Sequence, residues 1–148
     1  METGTGIVPG GDHSVSPWII GRRTAELIDF LIAVFGATDL GRVEADGRIQ
    51  HAEVRIGDSV VLLFDSWPHR PAAPAFLRHH VADAAAVLER AAAAGATVLT
   101  RPTELAWGDR VSRFADPFGN LHWIHQRVAE PDEDELRRRW ALPEFQHN

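Results

Sequence analysis

The chain contains no cysteine, no tyrosine and only one methionine among its 148 residues. Without cysteine, neither a disulfide framework nor a thiolate metal site can form. No apolar run approaches the ~18 residues that a membrane-spanning helix needs. The amino-terminal segment lacks a basic region followed by an apolar stretch, so no secretory signal is predicted. We therefore expect a cytoplasmic protein that does not enter a membrane.

Basic residues are outnumbered by acidic ones, 15 to 21, so the formal net charge is −6 at pH 7. Binding to a phosphate backbone needs a basic stripe, and the one basic run, Arg137 to Arg139, follows an acidic run. Acidic residues followed by arginines are typical of a helix whose end charges interact favourably with the helix dipole. We therefore expect no nucleic-acid partner. The length suits one domain or two small fused modules with a buried core.

The first half, residues 14–66, predicts a strand, a helix and three further strands. Thr24 is a candidate helix N-cap, apolar residues then recur at helical spacing, and Gly36 ends the helix. Asp46-Gly47 between two extended runs predicts a hairpin.

The same pattern restarts after a proline-rich segment, residues 67–74, which we interpret as a linker. Residues 75–128 again predict a strand, a helix capped by Asp83 and three strands, the second of which starts at Arg110 after a loop that ends with Asp109. A leader, residues 1–13, and a tail with a short helix, residues 129–148, complete the chain. This order predicts an α+β fold of two βαβββ modules, each with a helix on one face of a mostly antiparallel sheet.

The chain resembles the vicinal oxygen chelate superfamily of glyoxalases, bleomycin-resistance proteins and dioxygenases, and within it the PhnB-like branch. The likeness covers about residues 14–127. The motifs that carry it are Val15-Ser16-Pro17-Trp18, Ile28-Asp29-Phe30, His51 to Ser59, Val81-Ala82-Asp83-Ala84, Trp107-Gly108-Asp109-Arg110 and Asp116-Pro117-Phe118-Gly119-Asn120. The resemblance implies paired modules curled into an open barrel around a cavity, and a homodimer.

Metal enzymes of this superfamily take their ligands from the first and last strand of each module. By the resemblance, those positions fall on Ser16, Leu62, Phe76 and Trp123 in this chain. Leucine, phenylalanine and tryptophan side chains offer no ligand for a divalent ion. We therefore expect no family metal, no cofactor and an apolar, ring-lined cavity.

Strand alternation extends this prediction to a set of ligand-binding residues. The predicted wall combines apolar and aromatic side chains with a few polar groups, as small-molecule sites do, and a loop tryptophan borders it. Its members are Trp18, Leu62, Phe64, Phe76, Arg78, His80, Trp107, Trp123 and His125. The rings suit a planar ligand, and Arg78 suits a carboxylate or phosphate on it. The alternatives are that the rings are plain core and that Arg78 lies on the surface.

Several histidines are candidates for acid–base chemistry or for zinc. His51 and Glu53 alternate on one strand and either move protons or form a cross-strand polar pair on the solvent side. His79-His80 and His122-x-x-His125 invite a zinc interpretation. Neighbouring strand residues face opposite ways, so only His80 and His125 converge, and two ligands are too few for a tight site.

Three functions follow from these residues. The first is a binding protein that sequesters a planar molecule, for example an antibiotic. The second is a metal-independent isomerase, cyclase or lyase that uses His80, His125 or the His51 and Glu53 pair. The third, which we favour least, is a metal-dependent lyase or dioxygenase with an unusual ligand set.

Overall fold

A computed structural model describes residues 13–146 of the chain. The chain divides into two compact units, and the boundary lies between Ala75 and Phe76. The predicted leader, residues 1–13, lies outside the described residues except for His13. Among the residues that are described, no helix is long and apolar enough to cross a membrane.

The first unit is a four-stranded sheet with one long helix. Its elements are β1 (Trp18–Gly21), α1 (Thr24–Phe35), β2 (Thr38–Ala45), β3 (Arg48–Ile56) and β4 (Ser59–Asp65). The strand order is β1-β4-β3-β2. β1 pairs with β4 in parallel, and the other pairs are antiparallel.

Turn chemistry explains most element boundaries of this unit. Asp46 and Gly47 both have positive φ, 54° and 73°, as the tight hairpin between β2 and β3 requires. Gly36 ends α1 in the left-handed conformation, as predicted. The N-cap prediction for Thr24 is wrong, because Arg23 occupies that position. The backbone N–H of Thr24 instead donates to Asp65 Oδ1 at 3.0 Å, so a carboxylate at the end of β4 satisfies the helix start.

The second unit repeats this architecture. Its elements are β5 (Phe76–His80), α2 (Ala84–Ala93), β6 (Thr97–Glu104), β7 (Asp109–Ala115) and β8 (Leu121–Arg127), followed by α3 (Glu133–Trp140) and a 3-10 turn (Pro143–Phe145). The strand order is β5-β8-β7-β6, with β5 parallel to β8. The Asp83 side chain accepts hydrogen bonds from the backbone N–H groups of Ala85 and Ala86, so its predicted role as N-cap is confirmed.

The prediction of an α+β fold built from two βαβββ modules is therefore confirmed. Each helix contributes an apolar stripe to the core of its own unit. The buried apolar residues of the helices are Leu27, Ile28, Phe30, Leu31 and Val34 in α1, and Ala84, Val87, Leu88 and Ala91 in α2. The segment predicted as a linker, residues 67–74, forms two isolated bridges, Trp67 with Arg70 and Ala73 with Ile20 of β1.

A buried polar chain runs through the second unit. His79 Nε2 lies 2.9 Å from His122 Nδ1, and His122 Nε2 lies 2.8 Å from Asp116 Oδ2. The ionised carboxylate only accepts, so His122 donates from Nε2 and His79 donates from Nε2 to His122 Nδ1. Burial, reinforced by the neighbouring His122, lowers the pKa of His79 to about 3. His79 is therefore neutral in the folded protein and resists protonation.

This pKa predicts a loss of stability in mild acid. The unfolded chain binds a proton at His79 near pH 6.5, whereas the folded chain does so only near pH 3. The stability that neutral His79 contributes is therefore nearly complete at pH 7, and it is lost progressively as the pH falls through 6.5 toward 3. Between pH 7 and pH 5, we expect His79 alone to lower the free energy of unfolding by about 2 kcal/mol, measured by urea denaturation at each pH.

Two variants isolate this effect. His79→Gln keeps a donor for His122 but does not titrate. We therefore expect the free energy of unfolding of this variant to change much less between pH 7 and pH 5 than that of the wild type. His69 is exposed in a loop, so His69→Gln keeps the wild-type dependence. Equal pH dependence in His79→Gln and the wild type would contradict the assignment.

Candidate functional site

One face of the first sheet carries Trp18, Leu62 and Phe64. Trp18 and Leu62 are partners in the parallel β1–β4 pair. The Trp18 and Phe64 ring centroids are 5.7 Å apart in an edge arrangement. Phe64 is buried, whereas Trp18 is 49% exposed, so the indole is the accessible part of this group. Large exposed rings are more informative than buried ones, because burial is their ordinary state.

His51 and Glu53 lie on this same face, beside the Trp18 ring. His51 Nε2 is 3.2 Å from Glu53 Oε1, and the His51 ring centroid is 5.8 Å from that of Trp18. Glu53 is also the cross-strand partner of Leu62. The pair lies within β3 rather than across two strands, so the cross-strand part of that interpretation is wrong. Its side chains are 40% and 37% exposed, and it adjoins the aromatic group.

The second sheet carries an aromatic pair on the face away from the buried histidine chain. Phe76 and Trp123 have ring centroids 4.9 Å apart. Phe76 is 58% exposed, and Leu121 beside it is 36% exposed. Strand alternation explains this face, since His122 and Ile124 point to the core while Leu121 and Trp123 do not.

Two arginines flank Trp123 in one cross-strand row. Arg78 on β5 and Arg113 on β7 are both register partners of Trp123 on β8. The Arg113 guanidinium lies 4.3 Å from the centroid of the Trp123 ring, a cation–π contact. Within residues 13–146, neither arginine forms an ion pair with a carboxylate. We name these three residues the Arg-Trp-Arg row.

Farther along the same strands, two imidazoles and a carboxylate come together. The His80 and His125 ring centroids are 5.6 Å apart, and His125 Nδ1 lies 2.9 Å from Asp109 Oδ2. Asp109 also accepts hydrogen bonds from Trp107 Nε1 at 3.1 Å and from Arg127 Nη1 at 3.1 Å. Burial alone would raise the pKa of Asp109, but the hydrogen bonds from His125, Arg127 and Trp107 outweigh it and lower that pKa.

The structure thus corrects the expectation that only His80 and His125 converge. One ligand atom from each of His80, Asp109 and His125 lies within 4.8 Å of the others. The sequence prediction began this strand at Arg110 and left Asp109 in the preceding loop, whereas β7 begins at Asp109. Placing Asp109 at the strand start would have revealed the cluster. His79 and His122 lie in the separate buried chain, as alternation predicts.

Trp107 and Asp109 are held in place by the tight loop between β6 and β7. Gly108 has φ of 103°, and a Cβ added there would lie 2.2 Å from the Ala129 carbonyl oxygen. The Gly108 carbonyl accepts hydrogen bonds from the N–H groups of Val128 and Ala129, at 2.8 and 3.1 Å. This approach leaves room only for glycine, so Gly108 positions its two neighbours against the chain that follows β8.

Gly108→Ala therefore tests how the polar cluster is positioned. Gly119 is the matched control, because its φ is 91° and a Cβ there would meet nothing within 4 Å. We expect Gly119→Ala to cost about 1–2 kcal/mol from backbone strain alone. Gly108→Ala should cost about 2 kcal/mol more in urea denaturation, because its Cβ must displace the backbone. Equal costs would show that the close approach to Ala129 is not maintained in solution.

Comparison with known proteins identifies the class. The family model described as the Glyoxalase/Bleomycin resistance protein/Dioxygenase superfamily matches residues 12–124. The chain therefore belongs to this superfamily.

The individual relatives are consistent with that class. The uncharacterized protein Rv0887c of Mycobacterium tuberculosis (strain ATCC 25618 / H37Rv) is 36% identical over 139 residues, which cover 85% of this chain and 81% of that protein. TioX from Micromonospora sp. ML1 has a TM-score of 0.64 at 21% identity and covers 81% of this chain and 100% of its own. TnmS3 from Streptomyces sp. CB03234, described as an antibiotic binding protein, has a TM-score of 0.61 at 22% identity. The match covers 78% of this chain and 99% of TnmS3. At these identities the two structures support the fold alone.

The positions that the family resemblance assigns to metal ligands do not fit a metal in this chain. Leu62 lies opposite Trp18, and the Phe76 ring packs against Trp123 in a tilted arrangement. Ser16 contributes a hydroxyl, and the other three side chains contribute no donor atom suited to a divalent ion. Aromatic contacts occupy this part of the second sheet instead.

Proposed function

We propose that this protein binds a planar aromatic anion in the cytoplasm and does so without the family metal. The Arg-Trp-Arg row is the single observation that carries the proposal. It places two guanidinium groups, which have no carboxylate partner among residues 13–146, on either side of an indole on one sheet face. A ligand that stacks on the rings and carries a carboxylate, phosphate or sulfonate would satisfy all three side chains.

The energetics favour such a ligand over a neutral or non-planar one. Flat ligands stack in offset or edge arrangements on aromatic side chains such as Phe76 and Trp123. A guanidinium presents a planar fork of donors that matches a carboxylate bidentately, and it is more weakly hydrated than an ammonium group. Arg78 is exposed, so its guanidinium is accessible to a ligand.

The similarity to TnmS3, which is described as an antibiotic binding protein, supports sequestration of an antibiotic as the biological role. The Trp107-Gly108-Asp109-Arg110 motif supports a place in the PhnB-like branch. The family resemblance supports a homodimer, which light scattering of the purified protein would test. The Trp18 and Phe64 face of the first unit is a second aromatic surface on which a planar molecule could stack.

A matched pair of small probes tests the proposal. We expect 2-naphthoate to quench tryptophan fluorescence with one site per chain and a Kd of roughly 0.1 mM, an ordinary affinity for a fragment of this size. The neutral 2-naphthamide should bind about tenfold more weakly, since it lacks the charge for arginine. Adamantane-1-carboxylate, which has the charge but is not planar, should also bind weakly.

Single variants then assign the site. Trp123→Ala should weaken binding of both naphthalene probes, whereas Arg78→Gln should weaken only 2-naphthoate. Trp67 lies in a loop of the first unit, so Trp67→Ala is the control for a tryptophan removed elsewhere. Unchanged 2-naphthoate affinity in both Trp123→Ala and Arg78→Gln would reject the row as the site, and a loss confined to Trp18→Ala would move it to the first unit.

Turnover separates sequestration from catalysis. In a panel of aromatic natural products, a sequestering protein takes up its ligand stoichiometrically and returns it unchanged. A metal-independent isomerase, cyclase or lyase converts it, with a pH profile governed by histidine. Chromatography of each ligand after incubation with excess protein distinguishes the two outcomes.

A further inference from the structure

His125 has a buried nitrogen whose hydrogen-bonding capacity is unused. Its side chain is 5% exposed, and within residues 13–146 its Nε2 atom has no hydrogen-bond partner. Nδ1 lies 2.9 Å from the Asp109 carboxylate, which can only accept, so Nδ1 carries the proton. Nε2 therefore presents a lone pair. Buried acceptors are usually satisfied, so one left open in a native fold calls for an explanation.

His80 supplies a second imidazole beside the His125 ring. The two rings meet edge to face at 5.6 Å, and His80 is exposed where His125 is buried. Because ligand atoms of His80, Asp109 and His125 lie within 4.8 Å of one another, a single ion could contact the two imidazoles together. Imidazole nitrogens suit zinc, copper, nickel and iron rather than magnesium or calcium.

Asp109 is placed to orient the His125 ring rather than to bind the ion directly. Its Oδ2 accepts from His125 and Trp107, and its Oδ1 accepts from Arg127. A carboxylate that holds the far nitrogen of a metal-binding histidine fixes the tautomer and raises the basicity of the ligating nitrogen. The neighbouring loop is itself fixed by the close contact between Gly108 and Ala129, which leaves no room for a side chain at position 108.

We infer that His80 and His125 bind a divalent transition-metal cation, with Asp109 holding His125 in the ligating tautomer; two protein ligands make this a site of modest rather than tight affinity. The remaining coordination positions are open to water or to an anion. This site is separate from the family's metal positions. His80 follows Phe76 by four residues on β5, about 13 Å along the strand, and His125 follows Trp123 by two, about 7 Å.

Cobalt provides a direct test, because Co²⁺ bound by imidazole absorbs visible light. The full chain, freed of any affinity tag and treated with chelator, is titrated with Co²⁺, and Zn²⁺ is then added in competition. We expect one Co²⁺ per chain, displaced by one Zn²⁺. His80→Ala should abolish this absorption, and since His80 is exposed, this variant should fold normally. Asp109→Asn should bind Co²⁺ about 10- to 100-fold more weakly.

Three controls make the result decisive. His69→Ala removes an exposed loop histidine, and His51→Ala removes the histidine beside Glu53, so both should bind Co²⁺ like the wild type. Trp123→Ala should leave Co²⁺ binding intact even where it abolishes 2-naphthoate binding, which keeps this inference separate from the proposed ligand site. Wild-type Co²⁺ binding by His80→Ala, loss of binding in His51→Ala instead, or no Co²⁺ absorption in the wild type would overturn the assignment.

Discussion

The register of β8 is the constraint on which the candidate site depends. β8 lies between β5 and β7, so its residues 121–125 have a register partner on both sides. A slip of one residue would exchange the two faces of the strand and move Trp123 to the face that packs on the core. The buried chain from His79 through His122 to Asp116 opposes such a slip, because its hydrogen bonds form only in this register. A polar network inside the core thus determines which side chains reach the proposed ligand-binding face.

That register also explains how much of the site the sequence could predict. Alternation along a single strand is a local property, so the shared face of Phe76, Arg78 and His80 followed from the sequence alone. Arg113 joins the face only through the β7–β8 pairing, and its offset depends on the turn that joins the strands. Asp109 was missed because the predicted strand started one residue late.

The error at Thr24 has a similar origin. A threonine before an amphipathic stretch is a sound N-cap signal, but the group that satisfies the helix start is Asp65, 41 residues later. The Asp65 carboxylate also accepts from the backbone N–H of Ile49, so it ties α1 and β3 to the end of β4. Caps supplied from a distant strand leave no local signature. The outline of the two modules was predictable because it rests on turns and periodicity, whereas such long-range contacts were not.

The exchange of metal ligands for rings changes how a ligand can be recognised. A metal ion holds a ligand by a few directional bonds, whereas stacking and burial act over area, at about 1.5–3 kcal/mol for a fully covered large side chain. At the proposed site, contacts with Phe76 and Trp123 alone would give fragment-level affinity. The two arginines add selection by charge rather than much further affinity, because their guanidinium groups must give up water to bind an anion. Tight binding then requires a ligand large enough to cover the rings and both guanidinium groups together, which is the size of a polycyclic molecule rather than of a simple metabolite.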